Sequence, residues 1–164
     1  MDPTPGAVRA SGCCGEFQYN RRSGGMNGRN LKELSAVDSL RRLASVPLGR
    51  VVFTRHALPA VRPVNHIVAD GQIVIRSSAG TILSTELAAF EAVVAFEADE
   101  LDVKERLGWS VVVTGVAQLV KDPEETARFK SMIQPWVMGE MEQVIRIRPE
   151  IITGYELVPA VVPG

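Results

Sequence analysis

Lysine and cysteine are scarce in this 164-residue chain, and the scarcity of each excludes a class of protein. With four lysines and a formal net charge of -1, the chain has no basic excess to bind nucleic acid or an anionic membrane surface. Cys13 and Cys14 are adjacent, and no histidine or cysteine lies near them at metal-ligand spacing. They therefore predict neither a disulfide framework nor a zinc site.

Long apolar runs are also missing. No run approaches the ~20 residues needed to span a bilayer, and the N-terminus lacks the apolar segment of a signal peptide, so we expect a cytoplasmic protein. A chain of this length buries roughly two thirds of its unfolded surface without disulfides, so one core suffices. The composition of residues 1–30, rich in glycine, proline and arginine, predicts a disordered N-terminal extension. One domain is then expected over residues 31–158, with a tail over 159–164.

The most informative stretch is residues 57–81, which predicts two long strands joined at Asp70 and Gly71. This dipeptide tolerates positive φ and suits a tight type I′ hairpin turn. If the loop has two residues, the register of the two strands follows by counting outward from the turn. The predicted pairs are Ala69 with Gln72, Val64 with Ser77, and Asn65 with Arg76.

Polar side chains gather at the end of this hairpin that is remote from the turn. Because side chains alternate along a strand, Arg62, Val64 and Ser77 are expected on one face, and Pro63, Asn65, Arg76 and Ser78 on the other. The segment that follows is rich in small and hydroxyl residues and leads into a predicted helix over 82–90, whose first amides lack partners. Such amides, with Arg62 and Arg76 nearby, could bind a phosphate. A hairpin that ends in a serine-rich helix cap is also common in proteins without a ligand, so the pattern alone leaves both interpretations open.

The rest of the chain alternates between strand and helix patterns. Apolar residues at three-residue steps from Leu31 to Leu43 predict an amphipathic helix. Gly115, inside the strongest strand pattern, predicts a bulge or bend. Asp122 and Pro123 predict the start of a helix that reaches about Met132. Besides the hairpin, the predicted strands are 49–54, 92–97, 109–120, 142–148 ended by Pro149, and 151–157, with a loop over 98–108.

Short connections between these strands favour antiparallel pairing, and closure into a small barrel would leave no exposed edge. This excludes a doubly wound nucleotide-binding fold. Four segments in this order, VPLGRV at 46–51, RPVNH at 62–66, IRSS at 75–78 and WSVVVTG at 109–115, resemble the pyridoxamine 5′-phosphate oxidase-like flavoproteins, also called FMN-binding split barrels. The resemblance covers about residues 31–157. It implies a mainly β fold with short helices, built as a six-stranded antiparallel split β-barrel.

The resemblance further implies a homodimer in which two FMN molecules lie in the interface. The strand from Arg62 to His66 would line the isoalloxazine, and Arg62 would neutralise part of the phosphate charge. Trp109 and Ser110 match the place where the partner chain meets the flavin, whereas Trp136 either stacks on an exposed flavin edge or packs at a helix end. The implied cofactor-binding residues are Arg62, Pro63, Val64, Asn65, Arg76, Ser77, Ser78, Thr81, Trp109, Ser110 and Trp136.

The C-terminal sequence ELVPAVVPG has nothing comparable to the Arg-x-His segment with which the oxidase holds pyridoxamine phosphate, so that activity is not expected. The resemblance favours an FMN-dependent oxidoreductase that moves electrons or hydride between a reduced nicotinamide, or a similar donor, and a small molecule. Alternatives on the same fold are an F420-dependent reductase and a non-enzymatic flavin or haem sensor or store. No catalytic residue is assigned. His66, on an alternating strand, is more typical of a satisfied barrel residue than of an acid or base.

Overall fold

A computed structural model describes residues 28–78, 91–134, 136 and 141–160 of the chain. All of the strand pairings are antiparallel. The strands follow the order β1-β7-β4-β3-β2-β5-β6, and β6 also pairs with β7, so six strands close into a ring. In chain order the elements are β1 (Arg29–Leu34), α1 (Ala36–Ser45), β2 (Leu48–Arg55), β3 (Leu58–Ala69), β4 (Gln72–Ser77), β5 (Ala92–Asp102), β6 (Leu107–Leu119), α2 (Pro123–Met132) and β7 (Gln143–Pro159).

This ring confirms the expected antiparallel split barrel of mixed β and α type. The long strand β7 explains how a seventh strand joins a six-stranded ring. Its first part pairs with β4 and its last part with β1, while β6 runs along its other side. β1 therefore extends the sheet beyond the ring and begins at Arg29, inside the stretch expected to be disordered. Residues 1–27, with Cys13 and Cys14, lie outside the described residues.

The hairpin of β3 and β4 forms as predicted. Asp70 and Gly71 both have positive φ, 53° and 72°, as a type I′ turn requires. The ladder between the strands runs from the Ala69–Gln72 pair to the His66–Ile75 pair, in the predicted register. The two outer predicted pairs, Val64–Ser77 and Asn65–Arg76, lie beyond the last ladder pair, where β3 continues along β2 and β4 continues along β7.

Gly115 lies at an irregularity between β6 and β7, as predicted. Thr114 pairs with Ile151 but Gly115 pairs with Pro149, so Glu150 is an extra residue on β7. A Cβ atom on Gly115 would lie 2.2 Å from the carbonyl oxygen of Arg148, which only glycine avoids. The helix α2 is also confirmed, since it begins at Pro123 and the Asp122 side chain accepts a hydrogen bond from the Glu125 amide.

Three local predictions were wrong. The helix expected from Leu31 begins only at Ala36, because residues 29–34 pair with β7 and Ser35 caps the helix. The loop expected over 98–108 is mostly strand, since β5 and β6 pair up to Asp102 and Leu107. Pro149 does not end a strand, because it lies at the bulge of one continuous β7. The helix predicted over 82–90 lies outside the described residues.

Two apolar clusters hold the elements together. The first fills the ring and is closed at one end by Leu43 of α1. The second lies on the outside of β4 and β7, beneath α2. Because side chains alternate along β4, Ile73 and Ile75 enter the first cluster and Val74 the second. The hairpin is therefore buried on both faces, which fixes the position of its polar end.

Candidate functional site

The predicted site residues of β3 and β4 lie together at the end of the hairpin, on the two faces expected from alternation. Val64 packs against the cluster inside the ring, and Arg62 pairs with the core residue Val51, so both belong to the inner face. Asn65 and Arg76 belong to the outer face, in series with Ile67 and Val74 of the second cluster. Thr81 lies outside the described residues.

Arg62 is an exposed cation at this end of the hairpin. Its Nη1 donates a hydrogen bond to the carbonyl oxygen of its neighbour Val61 at 2.8 Å. Among the residues that the structure describes, no carboxylate forms an ion pair with it. The Arg62 guanidinium can therefore bind an anion without first breaking an ion pair with a described residue.

Arg76 is in a different situation, because main-chain oxygens already surround its guanidinium. Nε and Nη2 donate to the carbonyl oxygen of Met141 at 3.0 and 2.7 Å. Nη1 donates to the carbonyl oxygens of Ile133 at 3.2 Å and Lys130 at 3.4 Å. These bonds satisfy carbonyls at the C-terminal end of α2 and just before β7. The structure thus gives Arg76 partners other than the phosphate that the resemblance implies.

Asn65 links the hairpin to two other segments. Its Nδ2 donates to the carbonyl oxygen of Pro47 at 3.3 Å, and its Oδ1 accepts from the amide of Trp136 at 3.0 Å. Trp136 itself is 65% exposed. Most of its surface is therefore accessible to a ligand or a partner.

Trp109 has the opposite environment. It is 3% exposed inside the ring, and its Nε1 donates to Oε2 of Glu100 at 3.3 Å. The Trp109 indole therefore faces the core of its own barrel, and a contact between this part of β6 and a flavin stays a prediction. Ser110, the next residue, faces outward from β6 and keeps part of its surface accessible.

His66 is a barrel residue, as the alternation of β3 indicates. It is 3% exposed, and its ring lies 4.8 Å from that of Phe96. Nε2 lies 2.9 Å from the carbonyl oxygen of Leu43 and must donate to it, so in the neutral ring Nδ1 carries the lone pair, and it has no partner among the residues that the structure describes. Burial lowers the pKa of His66 and outweighs the hydrogen bonds to Leu43 and Pro47, which raise it. The imidazole is thus neutral and structural.

The outward face of the ring, made by β2, β3, β5, β6 and β7, exposes large apolar side chains. We call it the outer apolar face, and its exposed members are Val61, Val93, Val112, Ile151 and Tyr155. Arg50 crosses this face, and its Nη1 donates to Oε2 of Glu97 at 2.7 Å and to Oδ1 of Asp99 at 2.8 Å. Burial raises the pKa of Glu97, and the nearby Arg50 opposes this.

Sequence reasoning missed both this face and the partners of Arg76. The three consecutive valines from Val111 to Val113 in β6 were a usable signal for the face, since a strand that is apolar on both sides is typical of burial on both sides. No sequence signal pointed to carbonyl oxygens at Ile133 and Met141 as the partners of Arg76.

A cleft of about 390 Å³ lies elsewhere, between β1, α1 and the end of β7. Its charges largely pair with one another, Arg42 with Glu156 and Arg41 with Asp38. None of the predicted site residues lines it. Over the described part of the chain, no group of histidine, cysteine or carboxylate side chains could hold a metal ion, and neither helix could cross a membrane.

A closed antiparallel ring of six strands defines a protein of the split-barrel class. A family model described as pyridoxamine 5′-phosphate oxidase matches residues 35–156, and the chain belongs to this family. Rv0080 of Mycobacterium tuberculosis, an uncharacterized protein, is 48% identical over 142 residues, which are 85% of this chain and 93% of the relative.

Solved structures agree with this family. A Corynebacterium glutamicum protein described as a pyridoxamine 5′-phosphate oxidase by similarity is 34% identical, with a TM-score of 0.67, and the match covers 80% of this chain and 96% of that chain. The FAD binding protein from Mycobacterium smegmatis is also 34% identical, with a TM-score of 0.63, over 76% of this chain and 98% of that chain.

Proposed function

We propose that this protein is a homodimeric, FMN-binding oxidoreductase. It would pass electrons or hydride between a reduced nicotinamide, or a similar donor, and a small molecule. The observation that supports this most directly is Arg62, an exposed guanidinium without an ion pair among the described residues, at the hairpin end of a family member. A similar protein from Mycobacterium smegmatis that binds FAD supports a flavin as the ligand.

The residues at the hairpin end fit a planar ring that bears a phosphate. Arg62 supplies charge for the phosphate, and Pro63 supplies apolar surface beside it, whereas the Val64 side chain packs against the cluster inside the ring. Ser77, Ser78 and Thr81 belong to the proposed phosphate contacts through their hydroxyl groups. A bound flavin supplies the redox chemistry itself, since its N5 accepts hydride. The protein's own task is then to bind the cofactor, orient its ring and limit access of water.

A second copy of the chain is part of this proposal. The outer apolar face exposes Val61, Val93, Val112, Ile151 and Tyr155 together, and such a patch is typical of an interaction surface. Ser110 lies on the same side of the sheet, where it could reach a cofactor bound mainly by the other copy. We propose that two copies meet through this face in the cytoplasm and that each contributes to two cofactor sites.

Pyridoxamine 5′-phosphate oxidation is not part of the proposal, because the C-terminal sequence lacks the Arg-x-His pattern of the oxidase. F420 remains an alternative cofactor, although its polyglutamate tail favours a basic groove and this chain has four lysines. A flavin or haem sensor without enzymatic activity is the remaining alternative from a different functional class.

The test is spectroscopic. The full chain is purified, its visible spectrum is recorded, and it is titrated with FMN, FAD, F420 and haem in turn. We expect an oxidised-flavin spectrum or saturable quenching of FMN fluorescence, followed by bleaching when a reduced nicotinamide is added without oxygen. Tighter binding of FAD or F420 would change the named cofactor. Binding of FMN without reduction by any nicotinamide would favour the sensor, and a protein that takes up none of the four ligands would refute the proposal.

A further inference from the structure

Two side chains of the hairpin form hydrogen bonds with three described residues between α2 and β7. Arg76 binds the carbonyl oxygens of Ile133 and Met141, at the two ends of this connection. Asn65 accepts from the amide of Trp136, near its middle. We call Asn65 and Arg76 the hairpin clamp. Both residues come from the outer face of the hairpin, on adjacent strands.

The clamp binds the main-chain amide of Trp136, a residue whose indole gains little burial from its own fold. A tryptophan normally stabilises a protein by burying its large surface, but Trp136 is 65% exposed. Ordering the amide of an exposed tryptophan costs conformational entropy, and no core burial compensates for this cost. An ordered amide together with an exposed indole suits a tryptophan that contacts a group outside the chain.

We propose that Asn65 and Arg76 are positioning residues that hold the Trp136 indole beside the hairpin end, where it contacts the planar ring of the bound cofactor. This inference rests on the proposed function for the identity of that ring. It reassigns the two clamp residues, which the resemblance made direct cofactor ligands, and it leaves Arg62 as the phosphate contact. Asn65 and Arg76 then influence cofactor binding only through Trp136.

The first experiment examines the clamp without any cofactor. The full chain is labelled with 5-fluorotryptophan, and its two tryptophans give two fluorine resonances that W136F assigns. Trp109, buried in the ring, serves as the internal reference for folding. We expect N65A and R76K each to shift or broaden the Trp136 resonance and to leave the Trp109 resonance in place. N65D keeps an acceptor for the Trp136 amide but loses the donor to the Pro47 carbonyl oxygen, so its Trp136 resonance should stay closer to the native one than that of N65A does.

The second experiment is a double-mutant cycle on FMN affinity. W136A removes the ring contact and should weaken FMN roughly three- to tenfold, the range expected for aromatic stacking. N65A should weaken FMN by no more than W136A does. In the W136A background, N65A should change FMN affinity by no more than about twofold, because Asn65 acts on FMN binding only through the Trp136 indole.

The outcomes separate the inference from the proposed function. If the losses of FMN affinity in N65A and W136A multiply in the double variant, Asn65 is a direct ligand and the inference is overturned. A Trp136 resonance that N65A leaves unchanged would also overturn it. FMN affinity that W136A does not alter would overturn the ring contact. If no flavin binds at all, the proposed function fails and the ring contact fails with it. The resonances of the cofactor-free protein then still decide whether the clamp holds Trp136.

Discussion

The guanidinium of Arg76 donates two hydrogen bonds to one atom, the carbonyl oxygen of Met141, from Nε at 3.0 Å and from Nη2 at 2.7 Å. A lysine at this position would present a single ammonium and could not reproduce this geometry. We predict that R76K lowers the free energy of unfolding by about 1.5 to 3 kcal/mol, the range for hydrogen bonds to a charged group. Urea denaturation measures the change. R62K is the matched control, and it should unfold like the native protein because Arg62 is exposed.

The phosphate role of Arg62 predicts a loss of affinity rather than of stability. R62A should weaken FMN by about 1.5 to 3 kcal/mol if the guanidinium pairs with the phosphate. Fluorescence titration of the folded variant measures this change. R55A removes an exposed arginine at the end of β2, beside the turn into β3, and should bind FMN normally. Equal affinities of R62A and the native protein would refute the role of Arg62.

The outer apolar face predicts a specific way to break the proposed dimer. Ile151 is 60% exposed on this face, and I151E would force two unpaired carboxylates into an interface between copies. We expect the dimer dissociation constant to rise more than about tenfold, since burial of an unpaired charge costs well over 1.4 kcal/mol. Analytical ultracentrifugation measures the constant. V103E changes a residue that is 85% exposed at the turn between β5 and β6, and it should leave assembly unchanged.

Buried His66 predicts a pH dependence of stability. Its pKa is lowered from 6.5 in the folded protein by burial, so the unfolded chain takes up this proton at a higher pH than the native protein does. Stability should therefore be greatest above about pH 6.5 and should fall as the pH drops toward the lowered folded pKa. Urea denaturation across this range measures the slope.

Two variants test whether His66 causes this dependence of the free energy of unfolding on pH. H66Q keeps a donor that can reach the carbonyl oxygen of Leu43 but cannot titrate, and the slope near pH 6.5 should largely disappear. H56Q removes the other histidine, which lies in the turn between β2 and β3, and the native slope should remain. A slope that persists in H66Q would assign the titration to another group.

Local chemistry accounts for what was predicted correctly. Asp70 and Gly71 favour one turn type, and a two-residue turn leaves a single register, so the β3–β4 pairs could be counted from the sequence. Asp122 and Pro123 are a cap and a first-turn residue, and α2 begins there. The short connections between strands favoured closure into a barrel, and the family resemblance implied its split-barrel form, which no single segment of the sequence specifies.

Non-local pairing accounts for the errors. The apolar residues at three-residue spacing from Leu31 predicted one helix, but they belong to β1 and α1. Pairing with β7 makes residues 29–34 a strand, although their pattern also suits a helix. Pro149 ends a strand in most contexts, but here the bulge opposite Gly115 accommodates its missing amide. Trp109 faces inward and Ser110 outward, and the sequence motif could not say which of the two is accessible.

The sequence by itself determined the two-residue turn at Asp70 and Gly71, the alternation that sorts the hairpin side chains onto two faces, and the start of α2. These features depend on backbone preferences within a few residues. Only the tertiary structure decided that Arg76 and Asn65 hold the connection around Trp136, while Arg62 forms no ion pair with the described residues. The partners of Arg76 lie 54 to 65 residues away along the chain, and packing of α2 and β7 against the hairpin brings their carbonyl oxygens within reach.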